Sequence, residues 1–142
     1  VLYTEKTKLA MKIAYDAHKD QFDKCGMPYI FHPIHLAEQM QTEDTIIVAL
    51  LHDVVEDTAI TFDDLSSKGF SDNVITALRL LTHDKSVDYF EYVSLIKGNP
   101  IASAVKLADL KHNSDLSRLE TITEKDGARK EKYEKAIQIL CE

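Results

Sequence analysis

Between Ile46 and Val55, eight of ten residues are apolar: Ile46, Ile47, Val48, Ala49, Leu50, Leu51, Val54 and Val55. A helix that is apolar on every side has no face for water and belongs at the centre of a globule. Yet this run contains His52 and Asp53, and it ends in Glu56-Asp57. Carboxylates at a helix C-terminus are disfavoured by roughly 0.3–1 kcal/mol each. Asp53 also lies one turn from both Glu56 and Asp57, so like charges repel. Burying an unpaired carboxylate costs several kcal/mol more. A positive partner must offset the cluster, and a divalent cation is the economical one. The plainer alternative is that His52 and Asp53 bond the backbone of neighbouring helices.

The rest of the chain reads as helices packed around that one. Four Gly and three Pro in 142 residues leave few turn signals, and no segment alternates with period two. Thr4 caps a first helix with Leu9, Ile13 and Ala17 on one face, broken at Lys24-Cys25-Gly26-Met27-Pro28. Pro33 suits the first position of a second. Thr42 or Asp44 starts a third, expected to run to about Asp57. Thr61 with Asp64 forms a capping box for a fourth, and Ser71 caps a fifth through Leu81. Val87 to Lys97 is a sixth, closed by Gly98-Asn99-Pro100. Ile101 to about His112 is a seventh, and Gly127 to Leu140 the last. The expected fold is all-α, one compact domain over residues 1–142 with about eight helices.

Composition narrows the partners. Lys and Arg number 17 against 24 Asp and Glu, a formal charge of -7. Duplex nucleic acid is therefore not expected as a partner, because neutralising phosphates needs a basic excess. A local basic pocket for a small phosphorylated ligand remains compatible with this balance. Cys25 and Cys141 are the two cysteines, without a CxxC, which fits free thiols in a reducing compartment. The longest apolar stretch, Ile46 to Leu51, is far short of a membrane span. The N-terminus lacks a signal layout, so a cytoplasmic location without membrane association is expected. The sequence carries no signal of oligomeric state.

Two further positions break the apolar pattern. His32 stands just before Pro33, where an N-cap projects into a cleft. Asp109 sits in the mostly apolar Ala104-Val105-Lys106-Leu107-Ala108-Asp109-Leu110. His32, His52, Asp53 and Asp109 make a set of two imidazoles and two carboxylates suited to Mn²⁺, Fe²⁺ or Zn²⁺. His35, His18 and His83 are expected to be structural.

The H…HD…D pattern of His32, His52-Asp53 and Asp109 resembles that of the HD-domain metal-dependent phosphohydrolases. Gly26-Met27-Pro28-Tyr29-Ile30-Phe31-His32-Pro33, Leu51-His52-Asp53-Val54-Val55-Glu56-Asp57-Thr58 and Val105-Lys106-Leu107-Ala108-Asp109, with Asn113 beyond, are similar to the hydrolase domain of RelA/SpoT-type proteins. The similarity runs from about Thr7 to Leu140. It implies an HD-domain helical bundle that removes the 3′-pyrophosphate from (p)ppGpp, giving GDP or GTP and pyrophosphate. In 142 residues no synthetase or regulatory domain fits beside it, so the expected type is the small stand-alone alarmone hydrolase. One Mn²⁺ is implied, with Zn²⁺ or Fe²⁺ possible.

A bound metal acidifies its water and polarises a phosphoryl oxygen. Glu56 and Asp57, one turn past the metal pair, are expected to orient or deprotonate that water, and the resemblance gives them the same role. It also implies substrate contacts for Lys24, Lys85, Asn113, Arg129 and Tyr133, the last two sharing a helix face. Tyr29 is expected to pack beneath His32. One position departs from the pattern. Many alarmone hydrolases carry Arg-Lys where this chain has Asp23-Lys24, with the arginine lying against guanine. That departure bears on base preference and keeps NADPH or a dNTP as alternative substrates. A nucleotide sensor without catalysis is the contrasting class, although neither the metal positions nor Glu56 and Asp57 are lost.

Overall fold

The computed structural model describes residues 2–142. Among these residues the fold is all-helical, with nine α-helices and one 3₁₀ turn. They are α1 (Glu5–His18), α2 (Phe31–Glu38), α3 (Glu43–Leu51), α4 (Val54–Asp57), α5 (Phe62–Ser67), α6 (Asp72–Leu81), α7 (Tyr89–Ile96), α8 (Pro100–Asn113) and α9 (Glu124–Cys141). The 3₁₀ turn spans Leu116–Arg118. An isolated bridge pairs Phe22 with Pro28, and no helix is long and apolar enough to cross a membrane.

Local chemistry starts most of these helices. Thr4, Thr42 and Thr61 each accept from the backbone N–H three residues on and close a capping box. Ser71 and Asp88 cap α6 and α7, and Asn99 caps α8 with Pro100 in its first turn. α3 is the hub. All six residues from Ile46 to Leu51 are buried, and α1, α2, α6 and α8 pack around them. α9 lies across α7 and α8.

Three expected boundaries are corrected. The third helix does not run unbroken to Asp57: it stops at Leu51, and His52 and Asp53 lie between α3 and the single turn α4. This break makes nine helices out of about eight. Glu56 and Asp57 consequently sit within a separate one-turn helix rather than at the end of a long dipole. His32 is not an N-cap. The turn from Pro28 to Phe31 opens α2 earlier, with His32 N–H donating to Tyr29 O at 3.0 Å, so His32 lies in the first helical turn. Finally, Gly127 does not open the last helix. Thr123 and Asp126 form a capping box that starts α9 at Glu124.

Candidate metal centre and adjoining cavity

Neighbouring residues on a regular helix point apart. The break after Leu51 removes that constraint, and His52 Nε2 comes within 3.0 Å of Asp53 Oδ2. His32 arrives from α2 and Asp109 from α8. His32 Nε2 is 2.9 Å from Asp109 Oδ1, and His52 Nε2 is 3.6 Å from the same oxygen. His32, His52 and Asp109 are all buried, and each offers one ligand atom within 4.8 Å of the others. Asp53 stands beside this triad but outside it, its Oδ2 accepting a hydrogen bond from the Tyr29 hydroxyl. Tyr29 also packs between His18 and His32, with ring centroids 4.9 and 5.6 Å away.

The donor set fits a cation. His52 Nδ1 contacts the Ala49 carbonyl at 2.7 Å, which fixes its proton there and leaves Nε2 as a lone pair. That buried Nε2 makes no hydrogen bond despite its approach to two carboxylates. An orphaned lone pair facing carboxylate oxygens repels them unless a positive charge lies between. With no ion present, a proton is the positive charge that this field draws to the ring. Burial pushes the His52 imidazole towards neutrality, but Asp53 and Asp109 outweigh it and hold its pKa well above the ordinary value. Burial pushes the Asp109 carboxyl up, but Lys106, His32 and His52 outweigh it and hold it well below the carboxylate range. Lys106 Nζ donates to Asp109 Oδ2 at 3.1 Å and faces the Tyr92 and Tyr89 rings.

Glu56 and Asp57 are exposed on α4 at the edge of the centre. Partial burial raises both carboxyl pKa values, and the Asp53 charge adds to the effect. Glu56 lines a recess of about 160 Å³ with His52, Asp53, His83, Lys106 and Asp109.

A second cavity of about 310 Å³ lies beside Tyr29 and brings four predicted substrate residues together: Lys24, Asn113, Arg129 and Tyr133. Its volume falls in the range of small-molecule sites. Asn113 Nδ2 donates to Asp109 Oδ1 at 3.0 Å, which ties this cavity to the centre. Burial and the neighbouring Arg129 lower the Lys24 pKa. Lys85 lies apart, exposed on the loop whose His83 lines the smaller recess. Asp23, the residue that departs from the resemblance, has a structural task. Its Oδ1 accepts from Cys25 N and Met27 N at 2.8 and 3.0 Å, shaping the loop around Gly26, whose φ of 78° suits glycine. Its Oδ2 lies 3.8 Å from Arg118 Nη1, and Arg118 lines the same cavity.

Sequence reasoning gave no role to three residues here. Lys106 stands three residues before Asp109 in an apolar helix, a spacing that could have revealed the pair. His112, whose Nδ1 lies 2.7 Å from His32 Nδ1, shares that helix face three residues after Asp109. Partial burial, with Arg118 nearby, pushes its pKa down to about 4. Arg118 sits in a 3₁₀ turn that had no local signal. The rings of His18 and His83, for which a structural role was expected, contact Gln21 Oε1 and Val87 O, both at 2.8 Å, and His83 also lines the smaller recess. The His35 ring lies tilted by 33° against that of His112, with centroids 4.2 Å apart.

No protein-family model matches the chain. Curated relatives do. A guanosine-3′,5′-bis(diphosphate) 3′-pyrophosphohydrolase of Haemophilus influenzae is 36% identical over 115 residues, covering 71% of this chain and 17% of that protein. The protein of the same description in Aquifex aeolicus is 34% identical over 91 residues, covering 61% of this chain and 13% of the relative. The bifunctional (p)ppGpp synthase/hydrolase SpoT of Escherichia coli K12 is 42% identical over 65 residues, covering 43% and 9%. The chain thus spans less than a fifth of the length of these relatives. A solved structure covers it more fully. This is a metazoan ortholog of SpoT described as hydrolysing ppGpp and playing a role in starvation responses. It superposes with a TM-score of 0.76 at 28% identity, over 99% of this chain and 88% of the other. Fold, motif geometry and these similarities agree: the chain belongs to the HD-domain family of RelA/SpoT-type proteins.

Proposed function

We propose that residues 1–142 form one catalytic domain that removes the 3′-pyrophosphate of (p)ppGpp in a Mn²⁺-dependent reaction. The observation that carries this reading is the buried convergence of His32, His52 and Asp109 around an orphaned lone pair, tied through Asn113 to a cation-bearing cavity. The 3′-pyrophosphohydrolase relatives and the ppGpp-hydrolysing SpoT ortholog supply the substrate class. His32, His52 and Asp109 would hold the ion, with Asp53 beside them as the fourth ligand. Mn²⁺ suits this mixed nitrogen and oxygen set, as would Zn²⁺ or Fe²⁺. When bound, such an ion acidifies water and polarises a phosphoryl oxygen.

The chain's own groups supply the rest. Glu56 and Asp57, with their raised pKa values, take a proton from the attacking water and orient it. Lys24 and Arg129 neutralise phosphate charge, and Lys85 approaches from the loop at the smaller recess. Asn113 and Tyr133 hold the ribose and base side of the nucleotide. Arg118, held by Asp23 and by the His112 carbonyl at 3.2 Å, keeps a guanidinium in the cavity although position 23 is an acid. A cation is thus retained on this side of the cavity, and the alarmone relatives favour (p)ppGpp over the NADPH and dNTP readings.

The test is a substrate panel on purified protein: ppGpp, pppGpp, NADPH and dNTPs, each with Mn²⁺, Zn²⁺ or chelator. Release of pyrophosphate from ppGpp and pppGpp, lost on chelation, is expected. Consumption of NADPH or a dNTP alone would overturn the alarmone assignment, and tight ppGpp binding without turnover would mark a sensor.

A further inference from the structure

His32 has a partner on each ring nitrogen. Its Nε2 lies 2.9 Å from Asp109 Oδ1 and its Nδ1 lies 2.7 Å from His112 Nδ1. The His32 and His112 ring planes are only 11° apart, with centroids separated by 5.0 Å. With the nitrogens in contact, that separation describes two coplanar rings meeting end to end, so the bond follows both lone-pair directions rather than a stack. An N···N contact of this length holds one proton, because two lone pairs repel and two N–H groups clash.

We propose that His112 is a positioning residue for metal binding, a reversible hydrogen-bond partner that lets His32 change tautomer. The inference rests on the metal-centre reading above. A carboxylate only accepts. With no cation between them, His32 therefore carries its proton on Nε2 for Asp109, and its bare Nδ1 accepts from His112 Nδ1–H. A cation needs the Nε2 lone pair, so the His32 proton must sit on Nδ1 and His112 must accept. The exchange balances. The Nε2 proton of His32 leaves to water, the Nδ1 proton of His112 passes to His32 Nδ1, and water returns a proton to His112 Nε2. The pair gains or loses no proton overall.

His52 shows the contrast. Its Nδ1 faces the Ala49 carbonyl, which can only accept, so its Nδ1 keeps its proton and only Nε2 can serve as a ligand atom. A carbonyl or carboxylate against His32 Nδ1 would fix that ring equally, but would leave two facing lone pairs at Asp109 when the cation departs. An imidazole serves both conditions.

Two measurements test this. Competition with a chromophoric chelator gives Mn²⁺ and Zn²⁺ affinities for wild type, His112→Phe and His112→Asn. Loss of the partner of a ligating histidine typically weakens metal binding about 10–100-fold, the loss expected for His112→Phe. His112→Asn, whose amide can turn to accept or donate, should stay within about threefold of wild type on the same scale. Nitrogen-15 spectra of histidine-labelled wild type, taken with chelator and with Zn²⁺, should show His32 passing from Nε2–H to Nδ1–H and His112 doing the reverse. An unchanged His32 tautomer overturns the proposal even if His112→Phe fails to fold. Phe and Asn variants that bind alike also overturn it. If wild type binds neither ion, the metal-centre reading falls and this inference with it; tight wild-type binding matched by His112→Phe sinks the inference alone.

Discussion

Replacing Asp109 with Asn separates the two tasks of that carboxylate. Asp109 is buried and accepts from Lys106 Nζ at 3.1 Å and Asn113 Nδ2 at 3.0 Å, with His32 Nε2 at 2.9 Å. The Lys106 side chain is only 13% exposed, so it keeps its charge in a poorly hydrated place once its partner is neutral. Removing one member of a buried ion pair costs about 3–5 kcal/mol. The lower end is expected, because the amide oxygen still accepts one bond. Unfolding entropy near 2.1 cal/mol/K per residue converts about 3 kcal/mol into a Tm drop of about 10 °C for a chain of this length. This loss should be present with chelator. Mn²⁺ at a hundred times its Kd should add about 2.7 kcal/mol to wild type, a rise of about 9 °C on the same entropy scale, and nothing to Asp109→Asn. Adding Lys106→Met should recover much of the metal-free loss, since the stranded charge is gone, while restoring no metal response. Thermal unfolding with chelator and with Mn²⁺ reads all of these. A Mn²⁺-induced rise surviving in Asp109→Asn would refute the ligand assignment, and an unchanged metal-free Tm would refute the buried-pair argument.

Glu56→Gln and Asp57→Asn should bind Mn²⁺ like wild type while kcat falls at least about 100-fold, as loss of a general base does; metal stoichiometry and turnover measured on one sample decide it. Lys24→Ala and Arg129→Ala should each raise KM for ppGpp about tenfold, an exchange of roughly 1.4 kcal/mol, whereas Lys85→Ala should raise it less because Lys85 lies outside the shared cavity. Thr123→Ala removes the cap of α9 and should cost about 1 kcal/mol in urea unfolding. Asp126 donates its backbone N–H to Thr123 Oγ1, and its carboxylate accepts the Thr123 N–H and hydroxyl. The bonds to the carboxylate lower its pKa, so its contribution is present above 3.8 and fades as pH falls through the lower folded value. Urea midpoints at pH 6 and pH 3 should therefore converge in Asp126→Asn more than in wild type.

What was legible in the sequence follows how local its physics is. Thr4, Thr42, Thr61 and Ser71 were readable as caps because each bond joins residues three apart. Thr123 and Asp126 use the same chemistry and were missed, since Gly127 drew the boundary to itself. The convergence of His32, His52 and Asp109 was readable from polar residues that apolar helices could not otherwise tolerate, whereas Asp53, expected with them, is turned towards Tyr29 and stands outside the triad. The break after Leu51 had no local signal, because residues 46–57 favour a continuous helix and only side chains brought from α2 and α8 require otherwise. His112 and Arg118 gain meaning from partners 80 and 95 positions away, His32 and Asp23, which no window of neighbours contains.

The interruption at His52 and Asp53 bears on attempts to transplant this chemistry. Grafting the dipeptide into the middle of a sturdy designed rod would aim one residue into the cleft and its neighbour roughly 100° around the cylinder. The graft would copy the letters and lose the site. A successful host must yield there, giving up regular hydrogen bonding for two positions and resuming it for one turn, and must offer a carbonyl at the place of Ala49 to hold the imidazole still.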